Sequence, residues 1–123
     1  MKEEEKIEKI KKWMKKNYPT ETEKSFSELQ WKGKIKAELV DCTWMMEHGR
    51  AKAQTIERWH YPEKKQYYFR LGYYTWSETV DQIRWGSQTA IFIPDEDLPE
   101  YMAKIFEMVP TPLKKEILNG IKQ

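Results

Sequence analysis

Hydrophobic residues near the start of the chain recur at spacings of three and four, from Ile7 through Met14 to Tyr18. This spacing is typical of a helix with one apolar face. Pro19 should end the helix, because the residue before a proline avoids the helical region of backbone space. The pattern therefore predicts an amphipathic helix over about residues 2–18.

The middle of the chain alternates instead, with hydrophobic and polar residues following one another singly. Alternation is typical of strands, whose successive side chains point to opposite faces. Short connections, one of which contains Gly49, separate four such segments, so we predict an antiparallel meander. The predicted strands cover about residues 33–46, 51–61, 66–76 and 82–93, and the last of them is interrupted near Gly86 and Ser87. Residues 20–30, which precede them, are predicted as a loop with one helical turn.

Helical spacing returns after Pro94 and continues to Val109. Pro110 stops this helix, and a second one starts directly after it. We predict one or two C-terminal helices over about residues 95–121. A helix, a four-stranded antiparallel sheet over about residues 33–93 and further helices indicate an α+β fold. We expect a single domain, 1–123, that packs its helices on one face of the sheet and leaves the other face open.

The third predicted strand is the most aromatic part of the chain. One of its faces carries Tyr67, Phe69, Leu71 and Tyr73, and the other carries Tyr68, Arg70, Gly72, Tyr74 and Trp76. We predict that the first face, apolar throughout, packs on the apolar stripe of the late helix, and that the second face is open. That stripe consists of Leu98, Met102, Ile105 and Phe106. A strand covered on both faces, with the stem of Arg70 buried and its charge at the edge, is the alternative.

Composition agrees with one globular domain. The chain has 123 residues, of which 39% are hydrophobic and 34% charged, and its six Trp, seven Tyr and four Phe can fill a core. The net charge of +2 does not by itself indicate nucleic acid, so a cationic surface must come from local arrangement. We expect neither a secretory signal nor a membrane span, hence a cytoplasmic protein with no membrane partner. Lys and Glu are abundant and Asn is scarce, a bias reported for hyperthermophiles.

The sequence offers little for catalysis. It contains no HExxH pair, nucleophile elbow, P-loop or glycine-rich dinucleotide motif. Cys42 is the only cysteine, which excludes an internal disulfide and a cysteine metal site, and no base is evident near it. The acids at residues 95–97 could bind a cation, but they stand where a helix begins and are better explained as its cap. We therefore expect no enzyme, no cofactor and no bound metal.

Nucleic-acid binding fits the middle of the chain better. Residues 31–85 hold eleven of the seventeen aromatic residues, and ten Lys or Arg against seven acids. Rings stack on unpaired bases and Arg binds phosphate, so we predict binding of single-stranded DNA or RNA, with DNA favoured and little sequence preference. The predicted site consists of Lys34, Lys36, Lys52, Arg58, Tyr68, Arg70, Tyr74, Trp76 and Arg84. A protein-interaction module using the same face is the main alternative, because Tyr, Trp and Arg are also preferred at interfaces, and a small-molecule pocket or enzyme is a third.

The layout resembles two known families. A small domain with a four-stranded antiparallel sheet, flanking helices and an aromatic, basic cleft is similar to the ThermoDBP-type single-stranded DNA-binding proteins of hyperthermophilic archaea. The strand that runs into a helix over residues 89–98 resembles the positive-cofactor-type transcriptional coactivators. Both resemblances cover about residues 31–109, and the first implies a groove that holds bases with rings and the backbone with cations. A long C-terminal heptad pattern that would support a coiled coil is missing, and a homodimer is left open.

Overall fold

The computed structural model describes residues 1–20, 27–30, 33–86 and 91–122. Within these ranges the elements are α1 (Glu3–Asn17), β1 (Ser27–Gln30), β2 (Gly33–Lys36), β3 (Glu38–Met46), β4 (Lys52–Tyr61), β5 (Gln66–Ser77), β6 (Gln82–Trp85), β7 (Ile91–Pro94), α2 (Leu98–Met108) and α3 (Thr111–Lys122). A single 3-10 turn, Asp95–Asp97, joins β7 to α2. The predicted α+β fold, with an N-terminal helix, an antiparallel meander and C-terminal helices, is confirmed. None of the helices in these ranges has the length and apolar character needed to cross a membrane.

Strands β3, β4, β5 and β6 pair in that order as an antiparallel meander, and β7 pairs with the first half of β5. Because β5 has twelve residues, β6 and β7, with four each, lie along different halves of the same edge. The strand predicted over 82–93 is therefore two strands. The strand predicted over 33–46 is also divided, since β2 pairs with β1 in a separate two-stranded sheet. Ser27–Gln30 is a strand where the pattern predicts a loop with a helical turn.

Helix α1 packs across one end of the sheet, on β4 and β5. Its Ile10 and Met14 are fully buried in a cluster with Ala53 and Tyr74. The ring of Trp13 lies against that of Tyr74, with 5.1 Å between the centroids. The small side chain of Ala53 lets the helix approach the sheet closely, so this end holds much of the core.

A second buried cluster lies on the same face, toward the other end of the sheet. Trp59 and Tyr61 of β4 are its large members, and Ala37, just before β3, is buried with them. Tyr68 and Phe92 pack around the cluster from β5 and β7, and the rings of Tyr61 and Tyr68 meet edge to face at 5.1 Å. Together the two clusters bury one face of the central strands.

This buried face is the one that the sequence pattern assigns to solvent. Arg70 and Tyr74 are buried, whereas Tyr67, on the opposite face, is 37% exposed. The predicted assignment of the two faces of β5 is wrong, because the buried residues of β4 show on which side of the sheet the core lies. The buried positions of β4 include Ala53 and Thr55, small residues that stand opposite Tyr74 and Gly72 in the β4–β5 register. Residues that stand opposite each other in an antiparallel pair share a face, so the even-numbered side chains of β5 follow Ala53 into the core.

The C-terminal helices do not cover the sheet as predicted. No residue of α2 or α3 is buried, and Met102 and Ile105, which the pattern places in the core, are about half exposed. Helix α2 packs mainly on the 3-10 turn that precedes it. The predicted burial of Tyr67, Phe69, Leu71 and Tyr73 under this helix is therefore wrong, since Tyr67 is exposed and the other three are only half-buried. An apolar stripe shows that a helix needs a partner, but it does not show that the partner lies in the same chain.

Candidate nucleic-acid interface

The nine residues predicted as one surface lie in three places. The buried face carries four of them, Tyr68, Arg70, Tyr74 and Trp76. The opposite face carries Lys52, Arg58 and Arg84. The last two, Lys34 and Lys36, lie on β2, and their side chains are outside the described residues. The reason is strand register, because a shift of one residue exchanges the two faces of a strand. Arg58 stands opposite Phe69, and Arg70 stands opposite Glu57. Three of the nine, Lys52, Arg58 and Arg84, thus share the sheet face that the pattern assigns to the core, with Arg58 six residues from Lys52 along β4.

We call this second surface the open face. It consists of Lys52, Ile56, Arg58 and His60 from β4, Tyr67, Phe69, Leu71 and Tyr73 from β5, Arg84 from β6 and Ile91 from β7. Ile56 is 38% exposed and Ile91 is 59% exposed, although both are large apolar residues. A contiguous exposed apolar patch of this kind, with charges among the rings, is typical of a binding surface.

Cationic and imidazole groups lie directly over the rings of the open face. The guanidinium carbon of Arg58 is 4.5 Å from the ring centroid of Tyr67, and Lys52 Nζ is 4.5 Å from that of Tyr73. His60 stacks on Tyr67 with 4.5 Å between centroids and 24° between the planes. These contacts hold the long cationic side chains against the sheet, so a base that stacks on Tyr67 or Tyr73 has to displace the group that already lies over that ring.

A cleft of about 360 Å³ opens beside Phe69, and Asp41, Thr43, Ile56 and Arg58 contribute to its lining. The register of β3 shifts by one residue just before Asp41, which bends the edge of the sheet at the cleft. Arg58 lies farther from Phe69 than from Tyr67, with its guanidinium carbon 5.8 Å from the Phe69 ring centroid. The cleft is therefore lined by an aromatic and an aliphatic side chain together with charged ones.

Acids partly neutralise the cations of the open face. Arg58 Nη2 donates to Asp95 Oδ2 at 2.5 Å, and Lys52 Nζ lies 3.7 Å from a carboxylate oxygen of Glu47. Arg84 is exposed, and it has no ion-pair partner within the described ranges. A phosphate group would have to displace Asp95 to reach Arg58, whereas it can reach Arg84 without breaking such a contact.

Arg70 has a structural role on the buried face. Its Nε donates to Glu57 Oε1 at 2.7 Å, and Glu57 is fully buried. Glu57 also accepts hydrogen bonds from Trp59 Nε1 at 3.0 Å and from the Tyr18 hydroxyl at 2.5 Å. The guanidinium carbon lies 4.6 Å from the ring centroid of Trp85 and 5.4 Å from that of Trp59. Because this charge is withdrawn from solvent, we remove Arg70 from the candidate interface.

The aromatic residues predicted to act with Arg70 also pack on protein. Tyr74 meets the rings of Trp13 and Trp85, with centroid distances of 5.1 and 5.2 Å. Trp76 lies under Lys9 of α1, whose ammonium nitrogen is 5.4 Å from the ring centroid. These rings stabilise the fold, and they are not free stacking platforms.

Tyr67, Phe69 and Tyr73 are the candidate residues that the sequence analysis assigns to the core. A signal for the correct assignment is present in β4 and the turn before it. Ala51 and Ala53 alternate with polar residues, and such small residues mark the strand face on which another element packs closely. Matching that face to β5 still requires the register, which the sequence does not show.

No protein-family model, curated protein or solved structure matches this chain. The resemblance to the ThermoDBP-type proteins therefore stays a prediction. In the part of the chain that the structure describes, no group of three or more His, Cys, Asp and Glu residues is placed to hold a metal ion.

Proposed function

We propose that the open face binds single-stranded nucleic acid with little sequence preference. The observation that supports this is the row of Tyr67, Phe69 and Tyr73 on the open face, where Tyr67 is exposed and the other two are half-buried, with Arg58 and Lys52 each 4.5 Å from one of these rings. Each base stacked on an aromatic side chain is worth about 1–3 kcal/mol, and every base has a ring face to offer. A row of rings therefore gives affinity without reading the sequence.

The row is long enough for several nucleotides. Tyr67 and Tyr73 are six positions apart on β5, and at about 3.3 Å per residue this separation is about 20 Å. Phe69 lies between them and borders the cleft, so we assign the most deeply held base to Phe69. Duplex should bind more weakly, because its bases are already stacked on one another.

Phosphate contacts supply the second part of the affinity. Arg84 is the first candidate, and Arg58 joins it when a phosphate replaces Asp95. Few cations are engaged, and each single-strand phosphate contact contributes a slope of only about −0.7 to the salt dependence. Affinity should therefore fall with salt, but less steeply than for a strongly basic protein.

A protein partner is the second candidate, and the exposure of Ile56 and Ile91 favours it. An apolar partner would bind the same face with almost no salt dependence, whereas a nucleic acid would show a measurable slope. A cytoplasmic location in a heat-adapted archaeon belongs to the nucleic-acid proposal and rests on the Lys- and Glu-rich composition and the family resemblance.

The experiment is a titration of a labelled oligothymidylate with the full chain at low salt, followed by fluorescence anisotropy. We expect Phe69→Ala to weaken binding about tenfold, the equivalent of one lost stacking platform. Val80→Ala, at an exposed apolar residue of the turn between β5 and β6, is the control and should bind normally. If the folded wild-type protein binds no oligonucleotide at low salt, the nucleic-acid proposal fails and the protein-partner candidate replaces it.

The salt dependence of the same titration tests the phosphate contacts. Arg84→Gln should lower the affinity for all oligonucleotides by the same factor, and it should reduce the slope of log affinity against log salt by about 0.7. Lys12→Gln removes the same charge from an exposed position on α1, which lies on the other side of the sheet, and it should leave the slope unchanged. An unchanged slope in Arg84→Gln would exclude Arg84 from the interface.

A further inference from the structure

The last two helices form an arm, residues 98–122, that the rest of the described chain leaves uncovered. Neither helix contains a buried residue. Of the fourteen large hydrophobic side chains exposed in the described residues, seven lie in the arm: Tyr101, Met102, Ile105, Met108, Leu113, Leu118 and Ile121. Met108 is 77% exposed and Ile121 is 73% exposed. Half of the exposed apolar side chains thus occur in about a fifth of the chain.

Helices of this size need a partner. Helix α2 has 11 residues and α3 has 12, and isolated helices shorter than about 12–15 residues are marginal in water. Most helical stability in proteins comes from packing an apolar face. The two helices bury no residue against each other, and Val109 and Pro110 separate them. Because the described residues of this copy do not cover the apolar stripes, the stripes need a further surface to pack on.

We propose that this surface is the arm of a second copy, with α2 of each copy packed on α3 of the other. Charge favours this pairing. The 3-10 turn and α2 carry Asp95, Glu96, Asp97, Glu100 and Glu107 against Lys104, whereas α3 carries Lys114, Lys115 and Lys122 against Glu116. Packing α2 on α3 brings an acidic segment to a basic one twice, while packing α2 on α2 would bring acids together.

The sizes of the two helices also fit a two-fold arrangement. At about 1.5 Å per residue, α2 is about 16 Å long and α3 is about 18 Å long, so each covers the other along its length. A two-fold axis makes the contact reciprocal, which is the commonest form of soluble homodimer. Seven large apolar side chains per copy, most of them about half exposed, offer several hundred Å², the scale of the roughly 800 Å² per partner of a standard interface. The pairing uses no residue of the open face and does not rest on nucleic-acid binding.

Sedimentation velocity of the full chain at low salt tests the pairing. The wild-type protein should sediment as a dimer, and Met102→Asp/Ile105→Asp should sediment as a monomer. Circular dichroism and tryptophan fluorescence should show that the variant keeps its sheet and α1, because neither residue is buried in the core. A wild-type monomer throughout the micromolar range, or a dimer that survives both substitutions, would overturn the proposal.

Exchanging charges tests which helices meet. Glu100→Lys/Glu107→Lys makes α2 basic, and Lys114→Glu/Lys115→Glu makes α3 acidic, so each variant alone should dimerise about tenfold more weakly. An equimolar mixture of the two should recover the dimer, because each altered helix then meets its complement. Glu4→Lys/Glu8→Lys, the same reversal on exposed positions of α1, is the control and should dimerise like wild type. Equal dimerisation of both variants and wild type would overturn the α2–α3 pairing.

Discussion

The two faces of the sheet carry similar residues, but the burial and the ion-pair partners of those residues differ. On the buried face Arg70 lies against the rings of Trp59 and Trp85, and on the open face Arg58 lies against Tyr67. Arg70 has the fully buried Glu57 as its partner, whereas Arg58 meets the partly exposed Asp95. An arginine among aromatic rings is therefore structural on one face and available to a ligand on the other. What separates the two cases is the partner and its burial, and the composition of the strand does not reveal either.

The largest expected effect comes from breaking the buried pair. Glu57→Gln leaves the charge of Arg70 buried without a countercharge, and removing one partner of a buried ion pair typically costs about 3–5 kcal/mol. Urea unfolding of the variant should show a loss of this size. Glu38→Gln, at an exposed carboxylate on β3, should change stability by less than about 1 kcal/mol. Similar small losses in both variants would contradict the assignment of Arg70 to the core.

A smaller loss of stability is expected at Gly72, which lies against the indole ring of Trp85 on the buried face. A Cβ on Gly72 would lie 2.0 Å from the Trp85 ring, so Gly72→Ala must displace the indole that covers Arg70. Overpacking of this kind typically costs about 1–3 kcal/mol, which urea unfolding can measure. Gly120→Ala in α3, where nothing lies within 4 Å of the new Cβ, should cause no loss. If Gly72→Ala is as stable as wild type, the indole does not stand over β5 as described.

The smallest expected effect is on the open face. Asp95→Asn removes the carboxylate that competes with phosphate for Arg58. Partly exposed ion pairs of this kind are worth about 0.2–1 kcal/mol, so affinity for an oligonucleotide should rise by a factor between about 1.4 and 5. Anisotropy titration can resolve this gain, and the variant should unfold at nearly the same urea concentration as wild type. Weaker binding by Asp95→Asn would show that Arg58 does not contact phosphate.

The elements of the fold were largely predictable, because each depends on a local pattern. The spacing of Ile7 and Met14 predicts α1, and alternation predicts the strands of the meander. The interruption of the last predicted strand near Gly86 was predictable, but the pairing of both pieces, β6 and β7, with the same strand β5 was not. That arrangement depends on the length of β5, and pairing across a sheet leaves no mark in the sequence of a single strand.

The candidate site was less predictable, because it depends on the register. Tyr73 and Tyr74 are adjacent and identical in type, so only the strands and helices around them decide which one enters the core. Ala53 stands opposite Tyr74 and makes room for α1, whereas Gln54 stands opposite Tyr73. The late helix led to the wrong face assignment for a related reason, since its apolar stripe predicts packing on the sheet, and in the described residues none of its side chains is buried.

The most direct test of the account compares Tyr73→Ala with Tyr74→Ala, the same substitution on opposite faces of one strand. Tyr73→Ala should weaken oligonucleotide binding about tenfold, because a stacking platform is worth about 1–3 kcal/mol, and it should lose less stability than Tyr74→Ala because its ring is only half-buried. Tyr74→Ala should lower stability by about 3–5 kcal/mol, as expected for a buried aromatic residue, while the folded fraction binds normally. If the open face is the interface, Tyr73→Ala mainly loses affinity for the oligonucleotide, whereas Tyr74→Ala mainly loses stability. Loss of binding in Tyr74→Ala at full stability, with normal binding in Tyr73→Ala, would contradict the account.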